Sequence, residues 1–374
     1  MFVFSTDSTE NLQRVFSTED AYKGYTKLTR DLVMGNALFD YDEDGNRFEI
    51  TKKEANAKVR KVLLDIYGLN EETVKSEKRR NRARAQHDFE CFEIIESDVD
   101  FKINEGFAND EWFDRFVEEH NLKLGDDEEF ETKKDIMLLV AEISGDHHDL
   151  TMQYLGENEK FKVHTKKHGV RIGRDIDLIL LGRVDYTELV DKISEAYIYD
   201  IKEICYTAVY SAAEKLPSNT QFNITGALDK GKFDQLIEDV QVANNSDVFI
   251  MGTKMALKKL NALSDINWRS ASQKEDVAHS GRLGDYEGTE MLEIPQRFVK
   301  NDTTKKLFDN NMLLIFPTTD DKFVKLLRRG EVEIVEKGEN KADLADDYRS
   351  QEVQEEYGVV TVASQFFGRY LVEE

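Results

Sequence analysis

The chain has 374 residues, enough for two to three domains and a large core. Its 51 Lys and Arg against 75 Asp and Glu leave a net charge of −24, which argues against bulk affinity for DNA or an anionic membrane. Met1-Phe2-Val3-Phe4 gives way at once to Ser, Thr, Asp and Glu, so no signal peptide is read there, and no apolar run approaches the roughly 20 residues that span a bilayer. A soluble protein, intracellular when made, is expected. Cys91 and Cys205 are far apart in apolar or helical contexts and are expected as buried thiols.

In chain order, the first 90 residues are charged and mostly helical. Ser17-Thr18-Glu19-Asp20 opens a helix through Leu32, Asp40 to Gly45 forms a turn, and Thr51 to Tyr67 is a second helix closed by Gly68. Glu71 to Ala85 reads as a third, carrying the basic cluster Lys78, Arg79, Arg80, Arg82 and Arg84. Flanking acids (Glu71, Glu72, Glu77) and the lack of interleaved aromatics predict a solvated or salt-bridged face there, with a phosphate-facing arm as the lesser reading. With little apolar surface of its own, the segment reads as an arm that orders against something else.

From Phe89 the texture changes. Phe92-Glu93-Ile94-Ile95 leading to Val99-Asp100-Phe101-Lys102-Ile103 has the alternation of a strand or a short helix-strand unit. Trp112 to Val117 is a dense aromatic cluster, and Gly125-Asp126-Asp127 a turn. Ile136 to Ile143 and Phe161 to Ile172 are strand-like, separated by the polar stretch Gly145 to Glu159. Together they predict a long hairpin that adds little to a core and needs a partner surface.

The rest of the chain is organised around Asp185 to Leu216, read as one helix of roughly 48 Å at 1.5 Å per residue. Tyr186, Leu189, Ile193, Tyr197, Ile201, Ile204, Ala208 and Ala212 recur in steps of three and four, forming one apolar stripe that leaves Ser194 off its line. Asp185 with Glu188 is placed for a capping box, and Pro217 stops the helix. Beyond it, Phe222 to Thr225, Asp247 to Met251, Glu290 to Ile294, Met312 to Phe316 and Val332 to Val335 read as strands. Val359 to Val372 reads as a closing strand with little interruption, while Gly231 to Ala243 and Lys254 to Leu263 read as helices.

Three fragments resemble chemical sites. Gly226-Ala227-Leu228-Asp229-Lys230-Gly231-Lys232-Phe233 follows a strand and precedes a helix like a phosphate-binding loop, the basis of a nucleotide-enzyme reading. But Phe233 stands where a hydroxyl would bind magnesium, and Asp229 puts a carboxylate where phosphates would sit, so an ordinary turn is expected. Asp40, Asp42 and Asp44 with Gly45 begin like a calcium loop, yet the twelfth position is Thr51 rather than Glu, leaving a solvated turn or a weak ion site open. His147, His148, His164 and His168 lie on the hairpin, where strand geometry sets the last two about 13 Å apart, too far to share zinc. No catalytic constellation, cofactor site or metal site is assigned, and the chain is expected not to be an enzyme.

The order of these elements resembles that of tailed-bacteriophage major capsid proteins, the Hong Kong 97-like α+β fold. Asn121-Leu122-Lys123-Leu124-Gly125-Asp126 looks like the entry to that family's extended loop (E-loop), and Phe161 to Thr165 with His168-Gly169-Val170 like its exit. Leu181-Gly182-Arg183-Val184-Asp185 is similar to the entry of the family's spine helix. Met251-Gly252-Thr253, and Gly284 to Thr289 before Ile294-Pro295, look like the axial (A-) domain. Tyr357 to Val362 with Gly368 resembles the last strand of the peripheral (P-) domain.

The resemblance implies an arm over residues 1–88, the start of the P-domain at 89–130, the E-loop at 131–172, and the P-domain with its spine helix at 173–217. It further implies an A-domain at 218–320 and a return to the P-domain at 321–374. It also implies a non-enzymatic shell subunit of a virion, made in the host bacterial cytoplasm, that forms pentamers and hexamers of an icosahedral head. Scaffolding, portal and decoration proteins would be its partners, double-stranded DNA would be enclosed without sequence-specific binding, and no membrane would be involved. Some relatives cross-link a lysine to an asparagine. Lys160, Lys162, Lys166 and Lys167 lie in the hairpin, but no partner asparagine or assisting acid is matched. An encapsulin-like compartment shell shares the fold and is the alternative.

Overall fold

The computed structural model describes residues 9–16, 19–41, 47–108, 110–122, 129–132, 159–173, 175–218, 220–263, 284–299, 302–319, 321–337, 350–361 and 365–373. The chain begins with α1 (Thr9–Val15), α2 (Glu19–Met34), the antiparallel pair β1 (Phe39–Tyr41) and β2 (Arg47–Glu49), and α3 (Lys52–Ile66). Helix α3 starts where its signals put it. The Thr51 hydroxyl accepts from the Glu54 N–H while the Glu54 carboxylate accepts from the Thr51 N–H, and the left-handed Gly68 (φ +61°) follows the C-cap. These helices do have an apolar face: Leu12, Tyr25, Leu32, Val59, Leu63 and Ile66 are buried in the main core of their own chain.

A single helix, α4 (Glu77–Ala108), replaces both the expected helix at Glu71 to Ala85 and the strand-like texture from Phe92 to Ile103; a 3-10 turn at Thr73–Lys75 precedes it. Phe92, Ile95, Val99, Ile103 and Phe107 are all buried at helical spacing. Short apolar runs in that stretch fit either period locally, and only the longer span separates them. Residue 88, expected as a domain boundary, falls inside α4.

Helix α5 (Glu111–Phe116), strands β3 (Val117–Leu122), β4 (Glu129–Thr132), β5 (Glu159–Lys162) and β6 (Lys166–Ile172), and helix α6 (Asp175–Leu180) lead to α7 (Tyr186–Glu214). The expected long helix is present, but its capping box is not: the Asp185 side chain makes no cap bond. Instead Asn56 of α3 accepts from the Thr187 N–H at 3.2 Å and from its hydroxyl at 2.8 Å, so a neighbouring helix satisfies the end. The buried line runs in steps of four, Leu189, Ile193, Tyr197, Ile201, Cys205, Val209 and Ala213. Ile204, Ala208 and Ala212 sit at its half-buried margin. Ser194 is 0% exposed rather than off the stripe, because α4 covers α7 as well as the strands do.

After α7 come β7 (Asn223–Gly226), α8 (Lys230–Asn244), β8 (Val248–Thr253), α9 (Lys254–Lys259), β9 (Asp285–Tyr286) and β10 (Thr289–Ile294). Then follow β11 (Phe298–Val299), β12 (Asp302–Lys306), β13 (Met312–Pro317), β14 (Val324–Lys337), β15 (Ser350–Thr361) and β16 (Gly368–Val372). Two sheets dominate the fold: a mixed six-stranded one ordered β7-β16-β13-β8-β10-β9, and a four-stranded one ordered β3-β14-β15-β6. The stretch Val359 to Val372 is therefore not one strand. β15 pairs with β14 and β6, whereas β16 pairs with β13 and β7 in the other sheet. The main core lies among α4, α7 and both sheets, and a second cluster packs α8 and α9 on the far face of the six-stranded sheet.

Candidate functional site

Among the described residues β4 and β5 pair only with each other, in register from Glu129↔Lys162 to Thr132↔Glu159. The chain then breaks at residues 163–165, and β6 joins the four-stranded sheet along β15, from Tyr357↔Lys166 to Gln351↔Ile172. The strand expected over Phe161 to Ile172 is thus two strands, and its expected partner Ile136 to Ile143 lies outside the described residues, as do Gly125-Asp126-Asp127, His147 and His148. The result is a two-stranded ribbon that leads through residues 163–165 into the four-stranded sheet.

The sheet that carries the ribbon is held by charge. Arg328 of β14 is 1% exposed, and its guanidinium lies 2.5 Å from Glu355, 2.9 Å from Asp100 and 3.2 Å from Glu119, with Asn104 accepting a further bond. It joins α4, β3, β14 and β15. Burial pushes the Glu355 carboxyl up, and Arg328 opposes that push. On the opposite face Lys325, 3% exposed, pairs with Glu118 and Asp321. At the β14 bulge, where Gly330 has φ +81°, the Glu96 carboxylate accepts from the Ile334 N–H at 2.5 Å. Burial, helped by Glu93, Glu333 and Glu331, raises Glu96 to about 7. The sequence reading missed Lys325 and Arg328; the signal was Lys325 set inside the apolar run Phe323 to Leu327 and Arg328 directly after it.

His168 joins β6 to α7. Its Nδ1 lies 3.2 Å from the Asp200 carboxylate, its ring stacks on Tyr357 at 4.0 Å, and the Tyr357 hydroxyl donates to Asp200 at 2.6 Å. His164 is exposed across the break, so the two histidines belong to different segments. Among the described residues no group of three His, Cys, Asp or Glu is placed to hold a metal ion. Asp40 pairs with Lys58, while Asp42 and Asp44 lie outside the described residues.

The loop at Gly226 is an ordinary strand-to-helix turn. Asp229 caps α8 by accepting from the Lys232 N–H at 3.0 Å, Tyr370 donates to the Ala227 carbonyl at 2.7 Å, and Phe233 is fully buried. The cap occupies the amide that a phosphate would need. In the basic cluster, Arg84 is buried against Asp88 and Asp177 at 3.2 Å each, Arg80 donates to the Val74 carbonyl at 2.6 Å, and Lys78, Arg79 and Arg82 are exposed. The cluster is thus salt-bridged at Arg80 and Arg84 and solvated at its other three positions. Cys91 and Cys205 are free buried thiols, the former pushed up to about 12 by burial. No helix among the described residues is long and apolar enough to cross a membrane.

Comparison with solved structures finds partial similarity to several shells. The mature capsid of bacteriophage PhiM1 superposes with TM-score 0.47 at 9% identity, covering 72% of this chain and 89% of that one. The capsid of cyanophage P-SCSP1u gives 0.45 at 11% identity over 70% and 88%, and the SrpI encapsulin of Synechococcus elongatus gives 0.40 at 11% over 70% and 87%. No curated protein matches. The family described as "SPbeta prophage-derived putative capsid protein YonB" matches residues 37–370, almost the whole chain. The chain belongs to that family of prophage-derived capsid proteins.

Proposed function

We propose that the chain is a non-enzymatic shell subunit that assembles with copies of itself, as pentamers and hexamers, into an icosahedral head enclosing double-stranded DNA. In this reading the four-stranded sheet with α4 and α7 is the P-domain, and the six-stranded sheet, now including β16, is the A-domain. The β4–β5 ribbon is the root of the E-loop, which spans 131–172. Scaffolding, portal and decoration proteins would meet the assembled shell, and the host bacterial cytoplasm would be the place of synthesis. The observation that carries the reading is that, among the described residues, β4 and β5 pair with no other strand. A lone two-stranded ribbon is marginal in water, so this one is built to be covered by a neighbouring subunit. The net charge of −24 suits a container whose wall does not adhere to its polyanionic contents.

The test is to delete residues 145–158 and close the gap with a short Gly-rich turn. The variant is expected to keep the parent's thermal midpoint and to sediment as a small species, while the parent forms shells visible by electron microscopy. Shells from the deleted form would sink the assembly role of the loop; a fall in thermal midpoint would make the segment part of the core. Parent particles filled with protein rather than DNA after expression in infected cells would favour the encapsulin-like alternative.

A further inference from the structure

Side chains alternate across the four-stranded sheet, and the two faces differ. Leu326, Arg328, Val353 and Tyr357 point to α4 and α7, as their burial in the main core and their partners there establish. Leu327, Gly358 and Val360 therefore lie on the opposite, outer face, where Leu327 pairs with Gly358 and Lys325 with Val360. Onto that face the chain crosses between β5 and β6. Val163, 7% exposed, packs with Leu327, Leu122 and Val360 in a small apolar cluster separate from both larger ones.

The crossing is possible because residue 358 is a glycine. A Cβ there would overlap the His164 carbonyl oxygen and lie 2.9 Å from the His164 carbonyl carbon and 3.1 Å from the Thr165 Cα. These are backbone atoms, so they cannot swing aside as a side-chain tip would. Beside them the Thr165 hydroxyl donates to the Glu356 carboxylate, on the same face as Gly358. Three contacts of different kinds thus meet within residues 163–165: an apolar plug, a backbone approach and a hydrogen bond.

We propose that Val163, Thr165 and Gly358 are positioning residues, forming a clasp that fixes the root of the β4–β5 ribbon on the outer face of the sheet, independently of the main core. The importance of the clasp for shells rests on the assembly reading above; its existence does not. Among the described residues the ribbon leaves the sheet through 163–165, so its direction depends on how they sit, and a subunit that must aim the ribbon at a neighbour needs this root held. Because the cluster is small and separate, it can be loosened without opening the rest of the molecule.

The experiment is hydrogen exchange by mass spectrometry on the full chain, kept unassembled, as parent, Gly358→Ala, Val163→Ala and Thr165→Val, with particle formation read in parallel by sedimentation. Peptides covering 159–168 are expected to exchange about tenfold faster in Gly358→Ala and Val163→Ala, and less so in Thr165→Val, while peptides from α7 and β13 stay unchanged. Unchanged exchange at 159–168 in both of the first two variants would overturn the clasp. So would unfolding of Val163→Ala, which would make the cluster part of the main core. If exchange rises as expected yet particles still form normally, the clasp stands and the assembly role of the ribbon is what fails.

Discussion

The two large sheets are held by different forces. In the six-stranded sheet every residue of β8 and β13 is buried. Phe249, Met251, Leu314 and Phe316 face the main core, and Ile250, Leu313 and Ile315 face α8 and α9. In the four-stranded sheet the middle strand β14 places Lys325 and Arg328 in buried positions on opposite faces, each compensated by carboxylates. A dry sheet depends on volume, since each lost methylene leaves a hole. An ionic sheet depends on pairing, since removing one charge strands the others without solvent. The sheet that carries the ribbon is the ionic one, so its stability should respond to pH and charge where the other's does not.

The largest expected effect separates the two directly. Arg328→Ala leaves Glu355 buried and unpaired and should cost about 3–5 kcal/mol in urea unfolding, as breaking a buried pair does. Leu313→Ala should cost about 2–5 kcal/mol through the cavity it leaves. The loss at Arg328 should be largely recovered by combining Arg328→Met with Glu355→Leu, which replaces charges by apolar volume. A cost below about 1 kcal/mol for Arg328→Ala would mean that the network is incidental, and the comparison between the sheets would collapse.

Next in size is a pH effect on the helices behind the ionic sheet. Asp98 of α4 is 2% exposed and accepts from the Thr29 hydroxyl of α2 at 3.0 Å and the Tyr186 hydroxyl of α7 at 2.7 Å. Burial raises it to about 6, although both hydroxyl donors pull the other way. A raised folded pKa means that the native state holds the proton more tightly. The stability this gives is fully present below the unfolded value near ~4 and is lost as pH rises through about 6. Between pH 7.5 and pH 5 the parent should therefore gain about 1 kcal/mol relative to Asp98→Asn. Parallel pH profiles of chemical denaturation for the two proteins would show that Asp98 is not the titrating group.

These contrasts explain what could be read from the sequence. The continuous apolar runs of β8 and β13 were visible because strands buried on both faces need them. Helix α7 was visible because its period persists over eight turns. Helix α4 was hidden, since its basic first third and apolar centre look like different elements until Phe92, Ile95, Val99, Ile103 and Phe107 are counted as one series. Strand β14 was legible only in part, at Val332 to Val335, because Lys325 and Arg328 look like surface residues until the partners that neutralise them, up to 228 positions away, are known. The strand-to-helix turn at Gly226 was legible from the sequence, since Asp229 is placed to cap α8 and Phe233 to pack inward. That β15 and β16 belong to different sheets was not, because pairing partners leave no mark in a local pattern.

The same comparison applies at adjacent residues of α7, where the change at Glu195 is the smallest effect expected. A single stripe would put both Ser194 and Glu195 at the surface, but α7 is packed by α4 and by the four-stranded sheet, so its buried arc is wider than one stripe. Ser194 lies inside that arc at 0% exposed, and among the described residues its hydroxyl has no hydrogen-bond partner, while Glu195 is exposed. Ser194→Asp would bury a carboxylate at a position whose hydroxyl has no hydrogen-bond partner among the described residues, costing several kcal/mol even after relaxation. Glu195→Lys reverses a charge in water and should change unfolding free energy by no more than about 0.5 kcal/mol. Removing the orphaned hydroxyl by Ser194→Ala should be neutral or slightly stabilising, because a buried unsatisfied group only loses by being there. If Ser194→Asp is as harmless as Glu195→Lys, α7 is open along that line, and the helix faces a subunit boundary instead of α4.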